Sequence, residues 1–73
     1  MNFVVFETKG KVEYPVDRVE ARNAIDALGK VLPDSCTLHG LRCDDSTGVC
    51  VVRIREKRSS TYRVFTAYPA GKP

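Results

Sequence analysis

Three cysteines and one histidine fall close together in the middle of the chain: Cys36, His39, Cys43 and Cys50. In kind these are a zinc set. Their spacing does not suit one. A regular strand puts Cys36 and His39 on opposite faces, and there is no CxxC pair. Buried or near-surface reduced thiols are the expectation. His39 beside a cysteine does not make a nucleophilic dyad, because nothing supplies an orienting group or oxyanion donors. Asp44 and Asp45, with Ser46, Thr47 and Gly48, lack calcium-loop spacing and a terminal glutamate, so they read as a polar turn. No metal and no cofactor is expected, and the chain reads as non-enzymatic.

Charge is the stronger signal. Residues 1–50 carry six Lys/Arg and eight Asp/Glu, a net of −2, and residues 51–73 carry six Lys/Arg and Glu56 alone, a net of +5, which together give the +3 of the whole chain. Such asymmetry points to an anionic partner for the second half. Arg53 and Arg55 share a strand face, Lys57 and Arg58 follow in a turn, and Arg63 lies on the returning strand. A three-residue loop sets Arg55 opposite Arg63 and Arg53 opposite Phe65. Cys50, Val52, Ile54, Tyr62 and Val64 then form the core face. A slip of one residue would exchange the faces. The candidate binding residues are therefore Arg53, Arg55, Lys57, Arg58, Arg63, Phe65 and Tyr68. Arginine forks suit carboxylate, phosphate and protein contacts; a solvated strand face that keeps the chain soluble would carry the same charges.

These residues need a scaffold. Ala21, Ala24, Ile25, Leu28, Val31 and Leu32 recur at helical spacing, which predicts a helix over Asp17–Pro33. Asp17 and Glu20 have capping-box spacing, and Pro33 marks the stop. Strands are predicted over residues 2–8, 11–16, 36–43, 49–56 and 61–68. Lys9-Gly10 is a turn, Pro15 places the second strand at a sheet edge, Gly40 marks a bulge or a close backbone approach, and Gly48 suits a positive φ. Tyr14 and Tyr62 are expected to pack in the sheet. The predicted class is α+β, a two-layer sandwich with one helix on an antiparallel sheet, in the order β-β-α-β-β-β. Residues 1–68 make one domain and 69–73 a loose tail.

The chain has 73 residues, so its core is small and leaves little room for a deep substrate cavity. No apolar run is long enough to span a bilayer, and the opening MNFVVFETKG lacks a signal-peptide pattern. An odd cysteine count does not suit a disulfide framework, so a reducing cytoplasm is the expected setting. One edge strand is left open, so a monomer and an edge-paired homodimer are both compatible with the pattern.

The segments VEARNAIDALGKV at 19–31, CTLHG at 36–40 and VRIREKR at 52–58 give the chain a layout similar to small phage- or mobile-element-encoded proteins of the anti-CRISPR inhibitor type. The resemblance implies a non-enzymatic inhibitor that binds a host protein or nucleoprotein complex and blocks access to it. The basic charge departs from acidic inhibitors that mimic DNA. The alternative is weak, sequence-tolerant nucleic-acid binding through the same basic strands.

Overall fold

The computed structural model describes residues 1–70. Five strands, β1 (Asn2–Lys9), β2 (Val12–Glu20), β3 (Cys36–Asp44), β4 (Val49–Glu56) and β5 (Tyr62–Pro69), and one helix, α1 (Ala24–Val31), follow the predicted order. The strands form one antiparallel sheet in the order β2-β1-β5-β4-β3. The N-terminal hairpin and the C-terminal meander join where β1 pairs with β5. The helix covers one face, giving the α+β two-layer arrangement.

Strand alternation sorts the residues. Phe3, Val5 and Glu7 of β1, Cys50, Val52 and Ile54 of β4, and Phe65 and Ala67 of β5 point towards α1 and are buried. Ala24, Ala27 and Leu28 of the helix, with Ala21 before it, complete the core. Small helix residues let the backbone lie close to the sheet, and the aromatic volume comes from the strands.

Two glycines are required by their conformation. Gly10 (φ 65°) closes the β1–β2 turn and Gly48 (φ 75°) closes the β3–β4 turn. Pro15 lies on the edge strand β2, next to a register shift between Val5 and Phe6. The predicted bulge in β3 is present between Leu38 and Gly40, with His39 as the extra residue.

The helix is shorter than predicted. Asp17 and Glu20 belong to β2, which pairs along the whole of β1, and the Ala21 N–H extends that ladder by donating to the Met1 carbonyl at 2.8 Å. The chain holds a second capping signature six residues on, and the fold uses that one. Asn23 Oδ1 accepts from the Asp26 N–H at 2.8 Å, and Asp26 Oδ2 accepts from the Arg22 N–H at 3.2 Å. Pro33 acts as predicted: Leu32 before it is extended and ends the helix. The predicted stripe is only partly right, since Ala27 is buried and Ile25 is exposed. Asn23→Ala should therefore cost about 1 kcal/mol, a fall of about 4–8 °C in melting temperature for a domain of this size. Asp17→Ala should leave a thermal melt nearly unchanged. Equal effects of the two substitutions would refute the cap at Asn23.

The C-terminal boundary also moves. Pro69 is the last residue of β5, and the Ala70 N–H donates to the Asn2 carbonyl at 2.8 Å. Residues 71–73 of the predicted tail lie outside the described residues.

Candidate functional site: the open face of the sheet

Register decides which side chains share a face. Across β4 and β5 the pairs are Arg55–Tyr62, Ile54–Arg63, Arg53–Val64 and Val52–Phe65. This differs by one residue from the predicted pairing, so all of β5 is turned over. Phe65 is 1% exposed beneath the helix; it is core and not a binding anchor. Arg63 also leaves the basic set for the helix face, while Tyr62 and Val64 move from the predicted core to the open face. The cause is packing: this register buries Phe65 and Ala67 beside Val5, Val52 and Leu28, and burial of a phenylalanine side chain stabilises by roughly 1.5–3 kcal/mol.

Arg63 has a structural task where it lies. Its Nε donates to Glu7 Oε2 at 2.8 Å and its Nη2 to Glu7 Oε1 at 3.0 Å, while Nη1 bonds Glu56. The guanidinium carbon sits 5.0 Å from the Phe65 ring centre. One side chain on β5 thus ties β1 to β4. The hydrogen bond from Arg63 holds the Glu7 carboxyl below its usual range, against a smaller opposing effect of burial. Arg63 is held above its ordinary value in return, mainly by the bonds to Glu7.

The open face keeps Arg53, Arg55 and Tyr68 from the predicted set. The Arg53 guanidinium lies over the Tyr62 ring at 5.0 Å, and His39 meets the same ring edge-on at 5.1 Å. The β3 bulge makes this contact: it carries His39 over the open face, while Cys36 stays on the helix side. Lys57 and Arg58 are exposed in the β4–β5 turn at the same end of the sheet. Towards the other edge, Tyr68 packs edge-on against Phe6 at 5.5 Å and donates its hydroxyl to Glu13 at 2.7 Å. That bond raises the Tyr68 pKa. Val4, Val51 and Val64 lie between, each partly buried by neighbours, and no element among the described residues covers them. The face is therefore mostly apolar in the middle, with Thr66 buried between Phe6 and Val51, basic towards β4 and the β4–β5 turn, and mixed in charge towards β2, where Arg18 lies between Glu13 and Glu20.

Sequence reasoning missed Tyr62, His39 and Arg42 as members of this face. Tyr62 needed the β4–β5 register, and His39 needed the side towards which the bulge turns. Tyr14 and Tyr62 were expected to pack in the sheet; both are about half exposed.

The cysteines also differ from expectation. Cys43 and Cys50 are opposite one another across the β3–β4 ladder and form a disulfide; Cys36 is free. A turn spanning Asp45–Gly48 makes them partners, a signal present in the spacing of Cys43 and Cys50 about that turn. With two of the three paired, the cysteine count no longer argues for a reducing compartment. The pairing also removes two sulfurs from the zinc set considered above, and the described residues hold no group of three or more His, Cys, Asp or Glu placed to share a metal ion. No helix among the described residues is long and apolar enough to cross a membrane. Asp44 anchors the turn by accepting from the Ser46 hydroxyl at 2.7 Å and the Ser46 N–H at 2.9 Å, which lowers its pKa. No family model, curated protein or solved structure matches the chain.

Proposed function

We propose that this chain is a small non-enzymatic binding protein that occupies the surface of a host protein or nucleoprotein complex, in the manner of phage- or mobile-element-encoded inhibitors of the anti-CRISPR type. The observation that carries the reading is the open sheet face. Val4, Phe6, Val51, Val64 and Tyr68 form an uncovered, mostly apolar strip around the buried Thr66, and Arg53 and Arg55 flank it with exposed cations. An apolar centre with a charged rim suits a protein partner, and arginine and tyrosine are the residues that most often carry binding energy. The proposed setting is the cytoplasm of the host cell, where nucleoprotein targets reside, although the Cys43–Cys50 disulfide weighs towards an oxidising one.

Direct nucleic-acid binding through the same strands is the second reading, favoured by the Arg53–Tyr62 pair. Two features weigh against it. The Tyr62 ring already meets Arg53 and His39, and Tyr68 is engaged by Phe6 and Glu13, so neither ring is free as a base-stacking platform. Glu13 and Glu20 on β2, only partly offset by Arg18 between them, also oppose a phosphate backbone crossing the whole face.

A tagged pull-down from bacterial lysate, with and without nuclease, separates the readings. A defined protein should be retained after nuclease and lost with Arg53→Glu/Arg55→Glu, while the variant's melting temperature stays within a few degrees of the parent. Unchanged capture by the variant would rule out the open face. Loss of all bound material after nuclease would favour the second reading.

A further inference from the structure

The two edges of the sheet are built differently. The β2 edge carries Pro15, a bulge and the charges Glu13, Asp17, Arg18 and Glu20, all devices that discourage pairing. β3 also has a bulge, but the segment beyond it, Gly40–Asp44, is regular and bears Arg42 as its one charge before the terminal aspartate. The Cα atoms of Cys43 and Cys50 are 4.1 Å apart, the close spacing of a non-hydrogen-bonded pair. Alternation makes Leu41 opposite Val52 the next such pair. The backbone N–H and C=O groups of Leu41 and Cys43 therefore point away from β4, to the free edge.

An apolar groove runs beside that edge on the helix side. Leu28, Leu32 and Val52 form its floor, and Ile25, Leu38 and Leu41 its walls, enclosing about 140 Å3. The walls are 52%, 59% and 49% exposed. These are the largest exposed aliphatic side chains of the fold after Met1, and they sit together because the short helix leaves β3 uncovered.

We propose that two copies of the chain pair through β3, antiparallel about a two-fold axis at Leu41. The charge pattern selects a second copy as the occupant. Asp44 and Asp45 stand at one end of β3, and Arg55, Lys57 and Arg58 at the other, with Arg55 paired to Thr37 and the Lys57 N–H bonded to the Ser35 carbonyl. An antiparallel two-fold brings the acidic turn of each copy to the basic end of the other, twice per dimer. Leu41 exchanges both backbone hydrogen bonds with its symmetry mate, and the two grooves meet across the axis. Arg42 then faces Gly40 of the second copy, where nothing lies within 4 Å of a side-chain position, and no arginine opposes another. The result is a ten-stranded sheet whose two open faces are continuous. The pairing does not depend on what that face binds.

Sedimentation equilibrium tests this. The parent chain should associate to twice its 8.1 kDa mass. Leu41→Lys sets like charges together at the axis and should weaken association by at least about a hundredfold. Asp45→Lys, in an exposed turn where folding is not at risk, should weaken it too, and adding Lys57→Asp should restore part of the loss. Far-UV circular dichroism confirms that each variant is folded. A parent chain that stays monomeric at millimolar concentration overturns the proposal and leaves the edge to an extended segment of another protein. A dimer indifferent to both substitutions overturns it as well.

Discussion

Phe65→Ala should cost about 3–5 kcal/mol in urea unfolding, the range for removing a fully buried phenylalanine. A domain of 73 residues has a total of about 4–11 kcal/mol to lose at ordinary stability per residue. The substitution therefore removes from about a quarter to all of that stability. The reason is position: Phe65 sits at the centre of the core, paired with Glu7 on one side and Val52 on the other, and the chain has no tryptophan and only three phenylalanines to fill that volume. Tyr62→Ala provides the contrast. Tyr62 is on the open face and about half exposed, so its loss should cost about 1 kcal/mol, from a weakened cation–π contact and a little burial. The pairing expected from the sequence reverses that order, with Tyr62 in the core and Phe65 outside. A larger loss for Tyr62→Ala than for Phe65→Ala would refute the observed register.

That reversal shows which parts of the fold were legible. Gly10, Pro15 and Gly48 act through their own backbones, and a turn, an edge and a second turn were readable from them, while Gly40 lies beside the bulge at His39. The element order followed for the same reason. Helix start and strand register depend on distant partners. Asp17–Glu20 and Asn23–Asp26 are both capping signatures, and the choice between them was made by the length of β1, which needs β2 to pair with it as far as Glu20. The β4–β5 loop could be closed in two registers with similar alternation, and the register was settled by packing of Phe65 and Ala67 against Val5, Val52 and Leu28, with Glu7 of the first strand meeting Arg63 as a result. The make-up of the candidate face follows from the same register. Arg53 and Arg55 are on β4, whose bounds are as predicted, and stayed where they were placed; Arg63 and Phe65, on the strand that slipped, changed faces together.

The Glu7–Arg63 pair should show itself as a pH dependence. Glu7 is 10% exposed and Arg63 35% in their side chains. Arg63→Met leaves the carboxylate buried without its main partner and should cost about 2–3 kcal/mol at neutral pH, below the range for a fully buried pair because Arg63 keeps contact with water. The sign of the acid effect follows from the depressed Glu7 pKa. The unfolded chain takes up the proton near the ordinary value of 4.5, and the folded chain only at lower pH. The stability contributed by the pair is therefore complete above 4.5 and is lost as pH falls towards the folded value. In Arg63→Met the main cause of that depression is gone, and burial, opposed by the smaller effect of the Lys9 charge, favours the neutral acid. Protonation then relieves the variant while it weakens the parent. The stability gap between the two should narrow steadily below 4.5 in urea titrations at successive pH values. Glu7→Gln, neutral throughout, should show a flatter acid response than the parent, with the residue of the slope carried by other carboxylates such as Asp44. A gap between parent and Arg63→Met that is the same at neutral and at acid pH would mean that Arg63 acts through its packing on Phe65 and not through its charge.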